Sequence, residues 1–218
     1  MSDKVKRDRR RYHSPTRTAQ AQATRQRILD AGLELFLDHG YAGTTVAAVA
    51  ERANVVPETV YLACGGKRGL LKDVIETAIT GEEDSAARYD GTWWDALASI
   101  PSARVRLEKM VEYSCGVLAR TSPIHVVIRG AADKEPFAAA LGRRLLHDRV
   151  AAQTERIRRY LEDGLRPGMS PSEAGERYCV LTSPEVHHLL TVEFGWSTEQ
   201  HRSWLGQLLE TDLLGPDT

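Results

Sequence analysis

Apolar residues recur along this chain at three- and four-residue intervals, the spacing of one helical face. There is no sustained two-residue alternation and no Asn-Gly or Asp-Gly hairpin signal. The first stripe is Ile28, Ala31, Gly32, Leu35 and Phe36, in a helix predicted over residues 18–39 and stopped by Gly40. Thr44 and Thr45 open a short second helix over 45–53, with Val46, Val49, Ala50 and Ala53 on its inner side. Pro57 starts a third, over 57–63, at a position where its missing N–H costs nothing. A fourth begins near Lys67 and carries Leu70, Leu71, Val74, Ile75 and Ala78.

The segment from Gly81 to Gly91 is polar and acidic and reads as a link. Longer helices are predicted beyond it. One spans Ala103–Arg120, and Ser122-Pro123 reads as the cap and first turn of a separate short helix. A long one runs from Lys134 to Asp163 and stops before Gly164. Ser170-Pro171-Ser172-Glu173 and Ser197-Thr198-Glu199-Gln200 are capping boxes, and Pro184 predicts a kink or break between the helices they open. The last helix has the stripe His201, Trp204, Leu205, Leu208 and Leu209.

With 218 residues, 42% of them hydrophobic, the chain can build a sizeable core. No apolar run approaches the roughly 20 residues needed to span a bilayer, and nothing at the N-terminus reads as a secretory signal. Cys64, Cys115 and Cys179 are scattered, which argues against a disulfide framework or a zinc site and suits a reducing cytoplasm. No metal or cofactor is expected. The net charge of −1 hides an asymmetry: residues 1–27 hold nine lysines and arginines against Asp3 and Asp8. Such a basic end points to a polyanionic partner, with a merely solvated tail as the alternative.

The second and third predicted helices meet through Asn54-Val55-Val56, a turn short enough for a helix-turn-helix. Asn54 tolerates the left-handed backbone such a turn requires, and Val55 can plug the angle. Around this motif stand Arg27-Ile28-Leu29-Asp30-Ala31, Leu35-Phe36, Gly40-Tyr41, Thr44-Thr45-Val46, Val49-Ala50, Ala53-Asn54-Val55, Glu58-Thr59-Val60-Tyr61 and Lys67 followed by Leu70-Leu71. In this order they resemble the DNA-binding region of the TetR family of transcription regulators, over residues 24–75. The resemblance implies an all-α protein of about nine helices, with an N-terminal three-helix helix-turn-helix head and a C-terminal helical ligand-binding and dimerisation body. The expected division is a flexible basic arm at 1–17, the head at 18–82 and the body at 83–218. The resemblance further implies a homodimer on double-stranded, inverted-repeat operator DNA, acting as a repressor released by a small-molecule effector.

Candidate DNA contacts follow. Thr44 and Thr45 at a helix N-terminus suit a phosphate, and Tyr61 resembles the family tyrosine that bonds the DNA backbone. Lys67 follows two glycines that permit close approach to a phosphate, and Arg25 and Pro57 flank the same surface. Glu58, Thr59 and Leu62 are candidates for base reading: Glu58 can accept from a cytosine amino group, or only favour the helix dipole, and Leu62 can touch a thymine methyl. Three positions depart from the family pattern. Val56 cannot cap the third helix, and Ala63 and Cys64 replace an aromatic pair, with Cys64 expected to fill a core site.

In the body, Trp93, Trp94, Tyr113, Cys115, His125, Arg129, Tyr178, Cys179 and His187 are candidate cavity linings, with Arg129 suited to an anion if it faces inward. Leu189, His201, Trp204, Leu205 and Leu208 are the expected dimer stripe, in a four-helix bundle built from residues 171–193 and 197–213 of each chain. Two other functions stay open: a sequence-indifferent architectural DNA-binding protein, and a metal-dependent helical-bundle enzyme, for which Glu185-x-x-His188 is the sole motif.

Overall fold

The computed structural model describes residues 15–80 and 92–215. Most of the basic arm and the acidic link lie outside the described residues, as does the expected boundary at 82/83. Among the described residues the architecture is all-helical: α1 (Pro15–Gly43), α2 (Val46–Arg52), α3 (Pro57–Cys64), α4 (Lys67–Thr80), α5 (Thr92–Ala98), α6 (Ala103–Ala132), α7 (Pro136–Tyr160), α8 (Pro171–Leu181), α9 (Pro184–His188) and α10 (Thr198–Leu213). A 3-10 turn, Glu162–Gly164, follows α7, and a π-helical turn, Leu189–Glu193, follows α9.

Local chemistry sets most of these ends. Gly40 leaves the helical region at φ 66°, ψ 177°, so the regular part of α1 stops where glycine allows it. Ser102, Ser170, Ser183 and Ser197 each cap a following helix by accepting a backbone N–H, and Ser197 with Gln200 completes a reciprocal capping box. Pro184 breaks the predicted helix by starting a new one after Ser183.

Two expectations fail. The first helix begins at Pro15, inside the segment read as arm. Ser122-Pro123 starts no separate helix: α6 runs unbroken through Pro123 to Ala132. The Ser122 hydroxyl, which would have capped, instead lies 2.8 Å from Nδ1 of His187. Thr121 donates to the Val117 carbonyl at 2.9 Å. Ile124 and Ile128, beyond the proline, are 0% and 1% exposed, so burial holds the helical path that Pro123 weakens.

The core divides across α6. Its second half (Ile124, Val127, Ile128, Ala131) joins α1–α4 and the start of α7 in one apolar cluster. Its first half (Leu107, Met110, Val111, Cys115) joins α5, α8, α10 and the end of α7 in another. The head therefore rests on the body through a continuous core. Each fully buried Leu, Ile or Phe contributes on the order of 2 kcal/mol to it. Where α7 and α8 cross, Gly175 has no room for a side chain, since a Cβ there would sit 2.6 Å from the Thr154 Cα.

Candidate nucleic-acid interface and internal cavity

Val49 and Ala50 of α2, Ala53 at its C-cap, and Val60 and Cys64 of α3, are buried against Ile28, Leu35 and Phe36 of α1 and Leu70 and Leu71 of α4. The α2–α3 turn is the expected one. Asn54 takes φ 53°, the only positive φ outside glycine among the described residues, and the Val55 N–H donates to the Ala50 carbonyl at 2.9 Å. Val56 stands at the α3 N-cap with no side-chain bond, so that end of α3 is left to Pro57 and the Glu58 carboxylate. Cys64 fills the core, and burial pushes its thiol up to about 11, which makes it a packing group.

With Val60 and Cys64 turned inward, α3 presents Pro57, Glu58, Tyr61 and Leu62 outward, with Thr59 half-buried beside them. Leu62 is 88% exposed, a large apolar side chain with nothing of its own protomer over it. Tyr61 is 58% exposed, and one ring edge lies on Gly66 so closely that a Cβ there would meet it at 2.9 Å. Thr45 caps α2 by accepting the Ala48 N–H at 3.1 Å and is itself exposed.

Three of the expected contacts have partners within the head, and one of them, Thr44, is buried. Thr44 is 1% exposed and donates to the carbonyls of Leu35 and Gly40, satisfying the frayed end of α1 rather than a phosphate. Arg25 pairs with Asp73 at 2.8 Å and ties α1 to α4. Lys67 lies 4.3 Å from the centre of the Tyr41 ring and 3.5 Å from the Ala42 carbonyl, and burial lowers its pKa, so this lysine is partly spent on the α1–α2 bend.

A cavity of about 310 Å³ opens where the two apolar clusters meet. Its walls are α6 (Tyr113, Ser114, Val117, Leu118, Thr121, His125), α7 (Leu141 to Arg156) and, on one side, Lys72, Glu76 and Ile79 of α4. Of the expected lining, Tyr113 and His125 are there; burial, with Arg149 nearby, lowers His125 to about 4 and keeps it neutral.

The other expected linings are placed elsewhere. Trp93 and Trp94 stack with Tyr113 and Tyr160 into an aromatic cap beside the cavity. Tyr178 is fully buried, its hydroxyl donating to Met110 O at 3.0 Å beside Ser114. His187 is bonded to Ser122 and packs edge-on against His201; Cys115 lies 3.8 Å from His201 and Cys179 takes the Arg149 Nε–H. Arg129 points outward and pairs with Glu185 at 3.1 Å on the rim of a second, separate recess. That pairing also directs Glu185 away from His188, which faces Glu193.

The residues that sequence reasoning missed are on α7: Leu145, Arg149, Ala152, Gln153 and Arg156, at helical spacing. Gln153 is 6% exposed. The available signal was polar residues on a stripe whose two ends, Leu141 and Ile157, are apolar core.

The expected dimer stripe is also partly redirected. His201 and Leu205 are 0% exposed within one protomer, because α10 turns His201, Leu205, Leu209 and Leu213 onto α6 and α8. Trp204 and Leu208 are half-buried, and Leu189 is 46% exposed.

Residues 28–74 match the family model described as bacterial regulatory proteins, tetR family. The same region is similar to the HTH-type transcriptional regulator SrpR of Pseudomonas putida, 40% identical over 57 residues, 26% of this chain and 27% of that protein. It is also similar to the uncharacterized HTH-type transcriptional regulator YvkB of Bacillus subtilis, 38% identical over 52 residues, 24% of this chain and 28% of that protein. These matches span little more than a quarter of either relative's length. The whole fold is similar to NalD, the secondary repressor of the MexAB-OprM multidrug efflux pump in Pseudomonas aeruginosa, at TM-score 0.66 and 20% identity, covering 91% of this chain and 100% of that one. It is likewise similar to SmeT in its triclosan complex, at TM-score 0.66 and 16% identity, covering 90% of this chain and 94% of that one. The helix-turn-helix region of this chain thus matches the TetR family of bacterial regulatory proteins, and its all-helical fold is that of the solved NalD and SmeT structures.

Proposed function

We propose that this protein is a dimeric, sequence-reading transcription regulator of the cytoplasm, a repressor that a small molecule entering the α6–α7 cavity releases from an inverted-repeat operator. The observation that carries this reading is the position of α4. Its first turn follows α3 through Gly65 and Gly66, and its last turns, at Glu76 and Ile79, form a wall of the cavity. One rigid element thus touches both sites, and a ligand that prefers one tilt of α4 biases the other end. On α3, Thr59, Glu58 and Leu62 face the bases, and Tyr61 with Thr45 takes phosphates. Val180, Leu189, Val192 and Phe194 are 46–63% exposed around α8 and the π turn, and they extend the dimer face toward Trp204 and Leu208. No helix among the described residues is long and apolar enough to cross a membrane.

Selection of random duplex DNA at physiological salt tests the proposal. Enrichment of one inverted repeat, with half-sites about one or more helical turns of 34–36 Å apart, is the expected result. Retention without a common site would leave a backbone-only binder of the architectural kind.

A further inference from the structure

The charged groups that face the cavity are unequally matched. Lys72 and Glu76, one turn apart on α4, lie 3.5 Å from each other, and Arg144 and Asp148 on α7 do the same. These pairs account for both carboxylates of the lining and leave Arg149 and Arg156. Among the described residues neither has a carboxylate within ion-pair distance. Arg149 lies in the field of Glu185, which already holds Arg129, and its Nε–H is spent on the Cys179 sulfur.

Arg156 has no such compensation. Its guanidinium carbon lies 5.1 Å from the centre of the Trp94 ring and 5.6 Å from that of Tyr113, and one N–H donates to the Gln153 amide oxygen at 3.2 Å. Stacking and that hydrogen bond hold the planar group in place, and among the described residues its remaining N–H groups meet no other protein acceptor. A half-buried guanidinium, fixed in position and unpaired, presents a ready-made fork to a carboxylate or similar oxyanion. The apolar share of the lining is Ile79, Val117, Leu118, Leu141 and Leu145, with Ser114, Thr121 and His125 as polar groups among them.

We infer that the effector is an amphipathic anion: an apolar, ring-sized body held between α6 and α7, with an acid head group read by Arg156 and assisted by Arg149. This rests on the reading of the cavity as the effector site.

The test uses three probes with one shared body, naphthalene-2-carboxylate, 2-naphthylmethanol and 2-naphthylmethylammonium, titrated against the full-length dimer by calorimetry. The expected result is that the carboxylate binds at least tenfold more tightly than the other two. In Arg156→Gln, whose melting temperature should match the wild type, that preference should fall to within about threefold, and Arg156→Lys should restore part of it. Equal or tighter binding of the alcohol or the ammonium would overturn the anion assignment while keeping the cavity as a ligand site. So would a carboxylate preference that Arg156→Gln leaves intact. Failure of all three probes to bind, or binding unaffected by Leu118→Trp, which fills the cavity, would overturn both the assignment and the effector-site reading beneath it.

Discussion

A Cβ built on Gly69 would lie 1.7 Å from the carbonyl oxygen of Cys64, so the first turn of α4 packs backbone to backbone against the end of α3. Gly69→Ala is therefore expected to destabilise the head by about 3 kcal/mol or more, read as loss of DNA binding and of the head's share of the melting transition. The surface residues of α3 make the opposite prediction. Leu62→Ala and Tyr61→Phe remove nothing that the fold uses, so stability should be unchanged while operator affinity falls by about 1–3 kcal/mol in a gel-shift titration. Histidine chemistry is legible at this scale too. Burial, with His201 and His188 close by, pushes His187 from its ordinary 6.5 down to about 4, and burial lowers His201 as well. The unfolded chain thus binds protons that the folded one refuses. Stability is complete above pH 6.5 and declines as pH falls toward 4. The melting temperature should drop across that window, and His187→Gln should flatten the slope.

At the scale of elements, the sequence carried most of what local rules decide. Serine caps, Gly40, Pro57 and the Asn54 turn need only their neighbours in the chain, and each sits where its chemistry placed it. Thr44 and Ser122 show where that reasoning ends. Both are cap residues by composition, yet each turns its hydroxyl to a partner supplied by the fold, Thr44 to the end of α1 and Ser122 to His187, 65 residues away in the chain. The lining of the cavity was equally hidden on α7, because Arg149, Gln153 and Arg156 read as solvated helix until α6 is laid against them. A proline inside α6 carries its own prediction. Pro123→Ala returns a backbone donor to a helix whose path is already set by Ile124 and Ile128. The melting temperature should rise, by the equivalent of about 1 kcal/mol or more, and helicity by circular dichroism should not fall.

At the scale of the molecule, the proposed dimer face and the basic arm are separable. Phe194→Asp with Val192→Asp places charge on the exposed face around the π turn. Sedimentation equilibrium should then return a protomer that keeps its fold but binds the operator poorly, since a single head contacts one half-site. Deleting residues 1–14, which include Lys4, Lys6, Arg7, Arg9, Arg10 and Arg11, should leave the selected sequence unchanged and make the dependence of affinity on salt shallower by several units of log–log slope. The 14 residues of α4 have a further consequence, a mechanical one. At about 1.5 Å per residue the helix is a lever roughly 20 Å long, with its base at Ile79 in the cavity wall and its tip at Lys67 beside the end of α3. A tilt of about 10° at the base moves the tip by about 3.5 Å, close to the rise of one base pair along a DNA strand. On the proposed function, a contact the size of one side chain at the cavity end of that lever would put α3 out of step with the groove.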